Sequence, residues 1–184
     1  MRKIINSTYI TVDGVIQNPQ VWPSPRTGDS ETSYGIQWEL LSACDAVLMG
    51  RHTYDAFAAV WPTMSGDALS DHMNSMVKYV VSSTLQNPPW NNTTVISENP
   101  VEEIKRLKSE PGKNIVQYGF GRLSFALMER GLLDELRLWV HPFFLGSGAP
   151  EDLLFRNCPF AALNLTGTKT LGDGTVILHY SFQG

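Results

Sequence analysis

Ala46-Val47-Leu48-Met49-Gly50-Arg51-His52-Thr53-Tyr54-Asp55-Ala56-Phe57 is the stretch whose reading decides the fold. Ala46 to Met49 form an unbroken apolar run of the kind a strand buried on both faces requires. Gly50 ends the run, and Tyr54, Phe57, Ala58 and Trp61 then recur at helical spacing. A buried strand feeding a helix through one glycine leaves free N–H groups and the positive end of a helix dipole at the strand's carboxyl edge, where an anion binds. Arg51 adds a fixed positive charge there, and His52 and Thr53 add donors. Taken alone, the stretch reads better as a βα turn with a solvated arginine.

The rest of the composition narrows what such a turn could serve. The 184 residues suffice for one domain spanning 1–184. With 42% hydrophobic and 17% charged residues the chain is globular rather than disordered. A net charge of −4 supplies no basic field for nucleic acid. No apolar run approaches the ~20 residues of a membrane helix, and Met1-Arg2-Lys3-Ile4-Ile5-Asn6 turns polar too soon for a signal peptide. Cys44 and Cys158 share no metal-ligand spacing and read as reduced thiols of a cytoplasmic protein. No nucleic-acid, membrane or metal partner is expected.

Outward from the central stretch, β and α signals alternate. Lys3 to Val12 reads as a first strand, broken by Asp13-Gly14 and followed by a long loop with Pro19, Pro23, Pro25 and Gly28. Tyr34, Trp38, Leu41 and Cys44 predict a helix ending before Asp45. Beyond Trp61 a short helix is expected over 67–76, then strands over 77–82 and 93–96. Asn99, Pro100 and Glu102 mark the start of the next helix as cap, first position and capping-box partner. Further strands are expected over 114–118 and 136–140, separated by a helix over 122–130. The chain closes with strands over 162–170 and 175–182 around Gly172-Asp173-Gly174, a hairpin signal. This order predicts an α/β fold with a mostly parallel sheet flanked by helices and a C-terminal antiparallel hairpin.

Gly119-Phe120-Gly121-Arg122-Leu123 repeats the architecture of Gly50-Arg51: a buried strand, glycines that admit a close-lying pyrophosphate, then a helix. Ser124 stands where a Rossmann fingerprint would carry its third glycine. Together the pieces resemble the dihydrofolate reductase fold. Val47 to Tyr54 is similar to that family's strand-to-helix motif for the NADPH phosphates. Val80-Val81-Ser82-Ser83 is similar to its strand end for the adenosine 2′-phosphate, and Tyr118 to Leu123 to its second glycine turn, with Phe120 in place of the usual glycine. Leu132 to Leu138, His141 to Gly148 and Val12-Asp13-Gly14-Val15-Ile16 resemble the reductase domain of bacterial riboflavin biosynthesis proteins more closely than true folate reductases.

The resemblance implies a reductase that uses NADPH on a small heterocyclic or carbonyl substrate, nearest to 5-amino-6-(5-phosphoribosylamino)uracil. It implies Gly50, Arg51, His52, Thr53, Ser82, Ser83, Gly119, Phe120, Gly121, Arg122 and Leu123 as cofactor-binding, with Tyr9 and Ile16 walling the nicotinamide and the loop from Asn18 to Gly28 as a lid. Folate reductases place one carboxylate after that loop. Here the matching point falls near Tyr34, with Glu31 before it, and these two are the candidates for proton transfer. Asp13 is read as a turn residue, His141 and His179 as packed or surface residues, and Trp38 and Trp61 as core or pocket wall. A homodimer is expected from the aromatics Trp139, Phe143 and Phe144. The competing readings are a pterin or folate reductase and a nucleotide-binding protein without turnover.

Overall fold

Where the sequence punctuates itself with Gly, Pro and Asn, the computed structural model breaks its elements. It describes residues 1–23, 30–146 and 148–183. In chain order the elements are β1 (Ile4–Thr11), α1 (Ser30–Ser42), β2 (Cys44–Gly50), α2 (Arg51–Ala58), α3 (Ala68–Ser75), β3 (Val77–Val81), β4 (Thr93–Ile96), α4 (Pro100–Ser109), β5 (Asn114–Tyr118), α5 (Arg122–Glu129), β6 (Glu135–His141), β7 (Leu163–Thr170) and β8 (Val176–Phe182). The chain forms two compact units, Met1–Ile4 with Tyr34–Tyr118, and Ile5–Ser33 with Gly119–Gly184.

In the first unit the strands lie in the order β4-β3-β2-β5, and every neighbouring pair is parallel. The apolar run that opens the reading fills β2, where Ala46 to Met49 are each at most 2% exposed, as a strand with neighbours on both sides and a covered surface demands. Tyr54 of α2 is 1% exposed, and its hydroxyl accepts the backbone N–H of Trp90 at 3.3 Å, which pins α2 to the β3–β4 connection. At the opposite end Arg2 donates to Asp45 and, through Nε, to the Lys113 carbonyl at 2.6 Å. The Asp45 carboxylate also accepts the Lys113 N–H. A Cβ on Gly112 would come within 2.8 Å of that carboxylate, so only glycine fits between Pro111 and the strand.

In the second unit the order is β1-β6-β8-β7, with β1 and β6 parallel and β6, β8 and β7 antiparallel in turn. The β7–β8 turn forms at Gly172-Asp173-Gly174, where the Asp173 carboxylate accepts the Thr175 N–H at 2.8 Å. The architecture is the expected α/β fold: mostly parallel strands, flanking helices and a C-terminal antiparallel hairpin.

Several local expectations need correction. Cys44 begins β2 instead of ending the preceding helix, with an irregular register between Cys44 and Ala46 against β5. Trp61 opens a short 3-10 turn, Trp61–Thr63, and does not extend α2. Asn99 occupies the cap position of α4 in a left-handed conformation (φ 45°), but its side chain makes no capping bond. Trp139 is 1% exposed, its Nε1 donating to the Ser7 hydroxyl at 3.2 Å, so it belongs to the second unit's core and not to an exposed aromatic cluster. The loop expected as a lid, 18–28, holds a 3-10 turn at Pro19–Val21, and its residues 24–28 lie outside those described. Among the described residues no helix is long and apolar enough to cross a membrane.

Candidate functional site

Parallel strands bring their carboxyl ends to one edge, and ligands of open α/β sheets bind outside that edge. In the first unit the register Gly50↔Val81 sets the ends of β2 and β3 side by side. Arg51, His52 and Thr53 follow Gly50 in the first turn of α2, and Ser82 and Ser83 follow Val81. Five of the expected cofactor residues and Gly50 are therefore gathered at neighbouring strand ends, about 4.8 Å apart in sheet spacing.

Gly50 has ordinary extended dihedrals (φ −80°, ψ 167°), and a Cβ built on it would meet nothing within 4 Å. Neither backbone strain nor crowding inside the protein requires glycine here. The open space over its backbone is what a closely approaching ligand would fill. Arg51 donates through Nε to both carboxylate oxygens of Asp55 at 2.8 Å, one turn along α2. This exposed i,i+4 pair is of the class worth under about 0.5 kcal/mol. It engages Nε alone, leaving both Nη groups with no hydrogen bond. Ser82 is 8% exposed, and its Oγ accepts the N–H groups of Thr84 and Leu85 at 3.2 and 3.0 Å. Its own hydroxyl hydrogen is left to donate outward. His52 and Ser83 are exposed.

The second glycine turn, in the second unit, is held by residues that carry no motif signal. Asn6, fully buried, donates through Nδ2 to the Gly119 carbonyl at 2.9 Å and accepts the Thr8 hydroxyl at 2.7 Å. Ser124, also fully buried, lies 3.4 Å from both the Gly121 N–H and the Gly119 carbonyl. Gly119 has φ 77°, which favours glycine. Gly121 is extended and, like Gly50, has nothing within 4 Å of a built Cβ. Arg122 is exposed. The Phe120 side chain is 9% exposed and packs on Phe125 at 5.7 Å, so this residue can offer a ligand only its backbone.

Beyond β1, the Val12-Asp13-Gly14 turn is stitched to the segment after β6. The Asp13 carboxylate accepts the Thr11 hydroxyl and the N–H groups of Leu145 and Gly146, at 3.2 and 2.9 Å for the last two. The Thr11 hydroxyl and the Gly146 N–H hold its pKa down to about 2, so it is ionised at neutral pH. The turn residue expected from the sequence thus fastens a loop more than a hundred residues away. A cavity of about 300 Å³ is lined here by Asp13, Val15, Gly146, Gly148 and Leu153. Ile16, half-exposed, donates its N–H to the Asp152 carbonyl at 2.9 Å.

Tyr9 lies in β1 within a cluster of rings that also holds Trp139, His141, Trp22 and Phe143. Its ring is 5.4 Å from Trp139 and 5.0 Å from His141, and burial pushes its hydroxyl up to about 12. His141 ends β6 opposite Thr11 and also meets Trp22 at 5.6 Å and Phe143 at 6.1 Å. Both His141 ring nitrogens are buried, with no hydrogen-bond partner among the described residues. Burial holds the ring's pKa below the ordinary imidazole range, against the pull of Asp173. An unsatisfied buried polar group costs about 1–3 kcal/mol. His141 and His179 sit on different rungs of β6 and β8, since His179 pairs with Arg137.

Of the candidates for proton transfer, Tyr34 is committed elsewhere. Its hydroxyl donates to Asp67 at 3.3 Å and accepts the Leu69 N–H at 3.1 Å, at the start of α3, where Asp67 is the N-cap. The side chain of Glu31 lies outside the described residues. Trp38 stacks edge-on to His72 at 5.7 Å, and Trp61 packs on Phe57 at 6.1 Å, both as wall residues of the first unit.

YyaP of Bacillus subtilis (strain 168), an uncharacterized protein, is 30% identical over 187 residues, covering 100% of this chain and 96% of YyaP. The solved structure of a Shewanella sp. PV-4 protein is 19% identical, covers 99% of both chains and has a TM-score of 0.72. The Thermotoga maritima diaminohydroxyphosphoribosylaminopyrimidine deaminase/5-amino-6-(5-phosphoribosylamino)uracil reductase is 12% identical with a TM-score of 0.65; the match covers 99% of this chain and 57% of that one. The two structures speak to the fold. The RibD C-terminal domain profile matches residues 2–177. The chain belongs to the RibD C-terminal domain family.

Proposed function

We propose that the protein is an NADPH-dependent reductase of a small heterocyclic or carbonyl substrate, working in the cytoplasm as a homodimer. The observation that carries the reading is the pairing of Gly50-Arg51 with Ser82-Ser83 at adjacent carboxyl ends of β2 and β3. The free Nη groups of Arg51 and the outward hydroxyl of Ser82 are donors suited to a phosphate monoester. The bare backbone at Gly50 and the N-terminus of α2 suit the rest of a dinucleotide's phosphates. Gly119 to Leu123 is assigned to the same cofactor from its sequence, and the open backbone at Gly121 supports the assignment. When bound, NADPH supplies the hydride; the protein's part is to hold it, orient the acceptor and keep water away.

The nearest reaction by family is that named for the Thermotoga maritima enzyme, reduction of 5-amino-6-(5-phosphoribosylamino)uracil. The fold does not itself select among pyrimidine, pterin and carbonyl acceptors. Charge-assisted contacts to a 2′-phosphate are worth about 1.5–3 kcal/mol. Arg51→Ala should therefore weaken NADPH binding about 10–100-fold while changing NADH binding by less than about twofold. Titration of both cofactors against wild type and variant measures this. Equal affinity of the wild type for NADPH and NADH would refute the reading.

A further inference from the structure

Among the buried polar atoms without partners, the two His141 nitrogens stand apart because aromatic rings enclose them on several sides. Tyr9 and Trp22 meet the imidazole edge-on at 5.0 and 5.6 Å, and Phe143 lies at 6.1 Å. Tyr9 comes from β1, and Phe143 lies two residues beyond the end of β6. Trp22 follows the Pro19–Val21 turn, where it is half-exposed, its backbone N–H on the Pro19 carbonyl at 3.3 Å and its Nε1 on the Gln17 carbonyl at 2.9 Å. Arg137, earlier on β6 and on the same face, also has buried nitrogens without a hydrogen-bond partner among the described residues.

We propose that His141 is a ligand-binding residue of the reductase site. Its imidazole takes the hydrogen-bonding edge of an uncharged nitrogen heterocycle beside Tyr9, in the place that the Trp22 indole gives up against the ring. A neutral imidazole offers one donor and one acceptor. That pair matches an edge with a ring N–H beside a carbonyl or an unprotonated nitrogen, and it discriminates against a carboxylate, which needs donors alone. Flat aromatic walls add contact without polar demands of their own. His141 follows β1's neighbour to the carboxyl end, in register with Thr11, whose hydroxyl helps hold Asp13 at the rim of the 300 Å³ cavity. The inference rests on the reductase reading for the identity of the site, and assigns to His141 the choice between neutral and anionic acceptors.

The test uses the full-length protein labelled with 15N-histidine, with 5,6-diaminouracil as neutral probe and orotate as anionic probe. His141 ring signals, identified by their loss in His141→Phe, should shift when the neutral probe is added. His141→Phe should weaken that probe at least about tenfold, while His141→Gln, which keeps a donor and an acceptor, should stay within about threefold of wild type. Orotate should bind more weakly than the neutral probe to wild type. NADPH affinity should stay within about twofold throughout. If His141→Phe fails to fold, the His141 signals are identified by their loss in His141→Gln, and the wild-type ring shifts decide. Unmoved His141 signals, undiminished probe binding by His141→Phe, or a loss of NADPH affinity instead would overturn the proposal. Failure of wild type to bind NADPH would refute the reductase reading alone, and the probe-induced shifts would still decide for or against His141.

Discussion

Asp13 shows how one side chain can organise a site without entering its chemistry. Its carboxylate joins the Thr11 hydroxyl to the Leu145 and Gly146 amides, and these bonds hold its pKa at about 2 against an ordinary 3.8. A carboxylate with a depressed pKa contributes stability that is fully present above the ordinary value and is lost as pH falls through the folded one. We expect Asp13→Asn to destabilise the protein equally at pH 7 and pH 5, with the difference from wild type shrinking between about pH 4 and pH 2. Urea melts at those pH values measure it; a gap independent of pH would show that the carboxylate's charge is not what fastens the loop. Asp13 was readable as a turn residue, since Asp-Gly after a β-rich run is a local signal. Its distant partners were not, and neither were Asn6 and His141. A single polar residue in a strand carries no mark of which carbonyl, more than a hundred positions on, it will meet.

At the scale of elements, punctuation was the most legible feature. The strands Thr93–Ile96 and Asn114–Tyr118 end where their apolar runs meet turn residues, as read. Helical spacing misled at Cys44 because Leu40, Leu41 and Cys44 are all buried, and a buried strand that starts directly after a buried helix continues the apolar pattern. Parity within a strand was the least legible. In β3 the structure buries Lys78 completely and leaves Val77 37% exposed. Lys78 donates to the Asn74 carbonyl at 2.5 Å and lies 4.5 Å from the Trp90 ring, while Trp90 donates to the Asn74 side chain. This cluster outweighs the apolar-in, polar-out rule because the ammonium keeps a hydrogen bond and a ring face in place of water. Burial still lowers the Lys78 pKa from 10.5 to about 8. Between those values the unfolded chain holds a proton that the folded chain releases, so folding stability rises with pH. Relative to Lys78→Met, wild type should gain on the order of 1 kcal/mol per pH unit from pH 8 to 10. Denaturant unfolding at pH 7, 8, 9 and 10 tests the slope, and a flat difference would show that Lys78 keeps its ordinary pKa in the folded protein.

For the molecule as a whole, the family and the order of strands follow from motifs spread over nearly the full length, but association has to be argued from surface. The expectation of a dimer began from Trp139, Phe143 and Phe144, and the burial of Trp139 removes the first of these as an exposed residue. Other exposed apolar residues of the second unit supply a better motive: Phe144 at 74%, Phe155 at 67%, Phe160 at 97% and Leu165 at 56%. Leu165 lies in β7, the last strand of its unit's sheet, paired on one side by β8 and exposed from Leu163 through Thr166. An edge strand leaves a row of backbone donors and acceptors open, and proteins guard such edges with charge, proline or a covering element. β7 (Leu-Asn-Leu-Thr-Gly-Thr-Lys-Thr) has one charge, Lys169, near its far end, and no proline. Two apolar side chains, Leu163 and Leu165, point to one face of the unguarded half. A second copy of the chain covering this edge would satisfy the open backbone and remove the leucines from water, at about 25 cal/mol per Å² of apolar area. Sedimentation at about 10 μM, a concentration where an interface of ordinary size is saturated, should give a mass twice the 20.5 kDa of one chain. Leu165→Lys should return the protein to 20.5 kDa with its circular dichroism and NADPH affinity unchanged. A wild type that sediments as a single chain, or a Leu165→Lys variant that remains paired, would place the contact elsewhere or abolish it.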